Sequence, residues 1–260
     1  MLGSLWSAAS GMKAQQLNID VTSNNLANVN TAGFKKGRAE FQDLMYRTAR
    51  AAGAPVNTGS TTPVGMQVGN GVRSVAISRI FSQGDFQQTE NPYDLTVEGD
   101  GFFQVQLPDG TTAFTRDGTF KVDSQGQLVT SEGYLLQPNV TVPENARDVT
   151  VTGEGMVTAT IDGNAVQLGE IQIARFVNAA GLTAMGQNLF RPTAASGDPI
   201  VSAPGVDGMG RVLQGYVESS NVRVIEEMVN LIVAQRAYEA NSKSIQTADD
   251  MLQGANSLKR

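Results

Sequence analysis

The chain contains no cysteine and no histidine in 260 residues. Without cysteine there is no disulfide framework, no thiolate nucleophile and no iron–sulfur site. Without histidine the Ser-His-Asp arrangement and His-bearing zinc sites are excluded as well. Charge is scarce: 17% of residues are Asp, Glu, Lys or Arg, against about 25% in an ordinary soluble domain. A net charge of −6 leaves no basic cluster to displace counterions from nucleic acid. Aromatic residues make up 6% and stand apart, so a base-stacking platform is not expected either. No stretch approaches the roughly 20 apolar residues of a membrane helix, and direct membrane insertion is not expected. The start, Met1 to Lys13, lacks the basic region of a secretory signal. What the chain does hold is glycine, 28 residues, and a surface rich in Ser, Thr, Asn and Gln. That composition suits packed fibres and secreted assemblies.

Residues 4–30 read as a helix. Leu5, Met12, Ile19 and Leu26 recur every seven residues and mark one seam. From Met1 to Phe34 only Lys13 and Asp20 are charged. A helix on a monomer's surface normally shows Lys and Glu outward; Ala, Ser, Asn and Gln here suit protein contact on several sides. Gly33, after Asn28, Asn30 and Thr31, suits a helix stop.

Residues 35–50 mix Lys35, Lys36, Arg38, Arg47 and Arg50 with Glu40 and Asp43, and read as a short helix or an irregular, salt-linked segment. Residues 51–72 carry no charge, and their Pro and Gly forbid a helix. The stretch reads as a flexible linker or as an extended arm laid on neighbouring subunits; Val56, Val64, Met66 and Val68 give an arm apolar groups to bury, and the arm is the preferred reading. From 72 to 215, turns at Pro108-Asp109-Gly110, Asp117-Gly118, Ser124-Gln125-Gly126, Glu132-Gly133 and Asp162-Gly163 separate short alternating runs such as Phe103-Val105-Leu107. That is the pattern of an antiparallel β-domain. Residues 217–258 return to helix, with Val217, Val224, Leu231, Tyr238, Ile245 and Leu252 at strict sevens and Met228, Gln235, Ser242 and Asp249 as the second seam position. Ser220 or Asn221 is the expected cap.

The expected fold class is therefore α+β. Long N- and C-terminal helices form a coiled coil, with an inserted antiparallel all-β domain and an extended arm. The segments are 1–34 helix, 35–72 connecting segment and arm, 73–216 β-rich outer domain, and 217–260 helix.

Fragments of catalytic motifs fail on context. Ser10-Gly11-Met12-Lys13 matches S-x-x-K but its partner motifs are missing. Gly69-Asn70-Gly71, Gly99-Asp100-Gly101 and Gly153-Glu154-Gly155 lack the third glycine of a dinucleotide loop. Asp94, Glu98 and Asp100 would share one strand face and could in principle hydrolyse a glycoside; a solvated face is the plainer reading. No catalytic, cofactor or metal residue is assigned.

Ser23-Asn24-Asn25-Leu26-Ala27-Asn28-Val29-Asn30-Thr31-Ala32-Gly33-Phe34-Lys35 resembles the N-terminal motif of the bacterial flagellar basal-body rod and hook family. Glu218-Ser219-Ser220-Asn221-Val222, then Glu227 to Ile232 and Ala234 to Asn241, resemble its C-terminal signature. Gly99-Asp100-Gly101-Phe102-Phe103 and Phe114-Thr115-Arg116-Asp117-Gly118 resemble its β-domain. Length and the arm look most like members building the distal part of the rod, with proximal-rod and hook members as competitors.

The resemblance implies a structural, non-enzymatic subunit of a helical homopolymer with an inner tube of terminal helices. It implies contacts with proximal rod proteins, hook protein and the surrounding P- and L-ring proteins. It also implies export through the flagellar type III apparatus to a periplasm-spanning rod, in keeping with the missing signal. The expected assembly interface is Leu5, Met12, Ile19, Leu26, Asn28, Gly33, Phe34, Val224, Leu231, Gln235, Tyr238, Ile245 and Leu252. The expected arm contacts are Pro55, Val56, Pro63, Val64, Met66 and Val68.

Overall fold

A computed structural model describes residues 2–53, 55–57 and 60–257. Expectations for residues 54, 58–59 and 258–260 lie outside the described residues. The chain divides into two compact units. One comprises Met1–Leu26, Gly37–Ser78 and Arg223–Arg260; the other comprises Ala27–Lys36 and Arg79–Val222. Residues 27–36 thus group with the β-rich unit, and 37–78 group with the helices.

In the helical unit, α1 spans Leu2–Ala27 and α2 spans Val224–Ser257. At 1.5 Å per residue these rods are about 40 and 50 Å long. They run antiparallel. A Cβ on Gly11 would sit 3.0 Å from the Asn241 amide, and Asn25 Nδ2 donates to Glu227 Oε2 at 3.3 Å. Two heptads forward on α1 therefore correspond to two heptads back on α2. Among the described residues, no helix is long and apolar enough to cross a membrane.

The same unit holds a long two-stranded ribbon. Gly37–Asp43 pairs with Val72–Arg79, Arg47–Arg50 with Met66–Val68, and Pro55–Asn57 with Ser60–Thr61. This corrects the helical or irregular reading of 35–50. Arg38, Glu40 and Gln42 alternate with Ala39 and Phe41, a period of two. The polar row is bonded across the ribbon: Ser78 Oγ donates to Glu40 Oε1 at 2.7 Å and Arg73 Nη2 to Gln42 Oε1 at 3.1 Å. Within the uncharged stretch, Pro55–Asn57 and Ser60–Thr61 pair with each other, and Met66–Val68 pairs back with Arg47–Arg50.

The second helix starts later than its heptads implied. Tyr216–Glu218 is a strand paired with Phe86–Gln88, so Val217 belongs to a sheet. Ser220 and Asn221 do not cap α2. Asn221 is consumed in the β-rich unit, and Ser220 Oγ accepts from Val222 N at 3.3 Å.

The β-rich unit is built on Phe102–Gln106. It pairs with Thr112–Thr115 along one edge, and with Leu135–Gln137 and Ile173–Arg175 along the other, all antiparallel. Alternation splits its side chains between two cores. Phe103 and Val105 join Leu95, Phe120, Leu136 and Ile173. Phe102 joins Phe114, Phe176 and Phe190 on the opposite side. Edge-to-face ring pairs such as Phe114–Phe176, 4.9 Å apart, add to the burial. Asp117-Gly118 needs its glycine, since a Cβ there would lie 1.5 Å from Leu95 O.

Candidate functional site

Lys35, Arg116 and Glu218 form a charge junction inside the β-rich unit. All three are buried. Gly33-Phe34-Lys35 runs beside the strand ending at Glu218, tied by Gly33 N donating to Glu218 O at 2.8 Å. Gly33 holds φ at +67° there, a conformation that costs other residues energy. Lys35 Nζ then reaches Glu218 Oε1 at 2.5 Å and Ser82 O at 2.8 Å. Gly84 N donates to the same carboxylate oxygen at 2.9 Å. Arg116 Nη1 lies 3.5 Å from Glu218 Oε2. Its guanidinium donates to Val97 O and Gly99 O at 3.2 and 2.7 Å and covers the Phe102 ring.

Two cations thus share one carboxylate in a dry site. Burial pushes the Lys35 ammonium below its ordinary value, and the Glu218 charge offsets part of that shift. Arg116 is lowered by burial as well, against the pull of Glu218 and Asp100. The arrangement holds protons and charges fixed and offers no open position for a substrate. Its chemistry is that of a clamp. Around it, Asn221 accepts from Lys36 N at 2.8 Å and donates to Ile80 O and Ser82 O. Asn188 Nδ2 donates to Ala32 O at 2.9 Å, and Arg79 lies over the Phe34 ring. Each quoted motif therefore supplies part of one junction.

The residues expected at an assembly interface fall into groups. Gly33 and Phe34 are buried beside the junction, and Asn28 lies in the turn before it, accepting from Thr31. In the helical unit Leu5, Met12, Ile19, Leu26, Leu231, Ile245 and Leu252 are half-buried, while Val224, Gln235 and Tyr238 are exposed. Of the second seam positions, Ser242 is half-buried and Met228, Gln235 and Asp249 are exposed; one residue earlier, Glu227, Ala234 and Ala248 are buried and Asn241 is half-buried. On the ribbon Pro63, Val64, Met66 and Val68 are exposed, with Val64 at 74%. Pro55 and Val56 lie in a strand whose side chains are outside the described ones.

The carboxylates considered for hydrolysis do not act as a set. Asp94 is buried, with its oxygens taken by Thr89 and Asn91 in a turn. Glu98 and Asp100 are exposed. Sequence reasoning missed the junction itself. Lys35 opens the stretch that reads as a short helix or an irregular, salt-linked segment, and nothing local marks a partner 183 residues away.

Three family models match the chain. Residues 5–35 match one described as flagella basal body rod protein, and 96–159 match flagellar hook protein FlgE/F/G D1 domain. Residues 213–258 match flagellar basal body rod FlgEFG protein C-terminal. Lys35, Arg116 and Glu218 come one from each. The chain is 54% identical over 264 residues to the flagellar basal-body rod protein FlgG of Borreliella burgdorferi, covering all of both. It is 50% identical over 258 residues to FlgG of Caulobacter vibrioides, covering 98% of each. A flagellar hook protein FlgE of Helicobacter pylori is 48% identical over 138 residues, which is 53% of this chain and 19% of that one.

Proposed function

The chain belongs to the flagellar basal-body rod protein family, and from that premise we propose how it works as a structural subunit of the distal rod. It polymerises helically into a stiff tube between proximal rod and hook and catalyses nothing. The observation that carries the reading is the helical unit's lack of a core. Among the described residues, its buried apolar side chains are Ala8, Ala14, Ala234 and Ala248. Four alanines bury too little surface to offset the entropy of ordering two long helices and a ribbon. Other chains must supply the rest.

In the assembled state α1 and α2 pack as an inner coiled-coil tube, with the β-rich unit outside. The ribbon, carrying exposed Val64, Met66 and Val68, lies on neighbouring subunits. The contact is heterologous and propagates without closing. The subunit reaches the basal body through the flagellar export apparatus and passes within the P- and L-rings. A proximal-rod or hook role is the alternative. The matched lengths favour the rod, since the rod relatives align end to end and the hook relative over about half of this chain.

Imaging and sedimentation of the purified chain at rising concentration, with and without rod ends as seeds, test this. Straight tubes are expected; a compact monomer under both conditions overturns it. Deleting 51–65 should change tube stiffness or curvature more than monomer stability, and an unchanged straight tube would refute the arm's role.

A further inference from the structure

Among the asparagines of the chain, Asn70 alone is followed by glycine. The step lies in the ribbon between the strands Met66–Val68 and Val72–Arg79, so no ladder holds residues 69–71. Asn70 is exposed and Gly71 half-buried. Asn70 Nδ2 donates to Met45 O at 2.7 Å, a tie across the ribbon. Gly71 O accepts from Leu44 N at 2.9 Å, while Gly71 N donates to no group among the described residues. Gly71 holds φ at +107°, a conformation that glycine adopts without steric cost.

An asparagine side chain carries an electrophilic amide carbon, and the main-chain nitrogen of the next residue is the nearest nucleophile. A Cβ on that next residue obstructs the approach, and Gly71 has none. Asn139 and Asn230 are also exposed, but Val140 and Leu231 follow them. Asn230 is held in α2 besides, where ladder bonds fix the backbone. We propose that Asn70-Gly71 is a self-modification site, at which Gly71 N closes on the Asn70 amide carbon and the product loosens the ribbon from α1. The bond formed is N–Cγ, and the bond broken is Cγ–Nδ2. Nδ2 leaves as ammonia, taking up the proton that Gly71 N gives up. Water then opens the five-membered imide at either carbonyl. One opening leaves aspartate; the other leaves isoaspartate, whose main chain is one methylene longer. No oxidant or reductant takes part.

Both products lose the amide hydrogens that bonded Met45 O and set a carboxylate oxygen against that carbonyl. The longer main chain also has no room. Gly71 rests on α1, where a Cβ would collide with Ser10 Oγ and lie 3.2 Å from Ser7 Cα. The next amide, Val72 N, donates to Ser10 Oγ at 3.2 Å. A methylene inserted between Asn70 and Gly71 displaces both contacts.

The test ages the full chain in mildly alkaline buffer and maps its peptides by mass spectrometry, with fragmentation that separates isoaspartate from aspartate. Conversion at Asn70 should run at least about tenfold faster than at Asn139 or Asn230, with isoaspartate among its products. Hydrogen exchange at the Leu44 and Val72 amides should quicken at least about fivefold in the converted chain, the loss of roughly one hydrogen bond each. Exchange within Phe102–Gln106 should not change. Conversion at Asn139 or Asn230 that matches Asn70, or aspartate as the sole product, would overturn the cyclisation. Unchanged exchange at Leu44 and Val72 in converted chains would overturn the loosening. Asn70→Gln moves the amide carbon one methylene away from Gly71 N, and Asn70→Ser removes it; each should abolish the early conversion, and either serves if the other does not fold. A variant that still gains acid at the original rate would overturn the assignment of the site.

Discussion

Lys35 Nζ sits 2.5 Å from Glu218 Oε1 with both side chains sealed from solvent, joining residues 183 positions apart. The pair is not isolated, since Arg116 shares the same carboxylate. Removing one partner of such a group leaves an uncompensated buried charge, which costs about 3–5 kcal/mol. The order of effects follows from the count of charges. Glu218→Gln leaves two cations and no anion, whereas Lys35→Met leaves Arg116 still paired with Glu218. Urea unfolding of the full chain, followed by a signal from the β-rich unit, should show Glu218→Gln losing clearly more stability than Lys35→Met. The reverse order would mean the lysine, not the carboxylate, is the shared element.

Gly33 supplies the bend that brings Lys35 to the junction. Its φ is +67°, and a Cβ would lie 2.5 Å from Asp117 N. Gly110 has a similar φ of +80° with nothing within 4 Å of a Cβ. Gly110→Ala therefore costs only the left-handed backbone term, about 1–2 kcal/mol. Gly33→Ala adds a clash with main chain and should lose about 2–4 kcal/mol. Comparing the two denaturation midpoints checks this, and equal losses would show that the close approach of Asp117 carries no weight.

The ribbon offers a pH test. Ser78 and then Arg38 donate to Glu40 and hold its carboxyl below the ordinary 4.5. A depressed folded value means the contribution is present above 4.5 and is lost as pH falls through the folded value. Ser78→Ala removes the larger cause and leaves Arg38, so the Glu40 titration should move up toward 4.5 without fully reaching it. Carbon-detected NMR of the carboxyl resolves the shift. A titration unmoved by the substitution would mean the Ser78 hydroxyl does not bond Glu40 in solution.

Periodicity made the helices and the β-rich middle legible. Leu231, Ile245 and Leu252 are half-buried on α2. An apolar repeat carries no sign of the polar residues that meet α1: Asn25 bonds Glu227, and Asn241 lies against Gly11. The ribbon strands at 37–43 and 72–79 were not seen as partners, since their pairing is long-range and their local charge mimics a surface segment. The junction was hidden for the same reason. A lysine in a run of charges gives no local sign that it will be fully buried.

The two units should respond to different substitutions. Neither core cluster of the β-rich unit contains a residue of α2. Leu231 is half-buried on the helix pair, and an aspartate there would place a charge where apolar surface is needed. Leu231→Asp should therefore abolish tube formation while leaving the thermal transition of the β-rich unit within about 0.5 kcal/mol of wild type, as for a substitution distant from that core. Glu218→Gln should do the opposite first, lowering that transition before any assembly is attempted. Tubes formed by Leu231→Asp would exclude the helix seam from assembly. A β-rich unit that melts early in Leu231→Asp would mean its stability depends on α2.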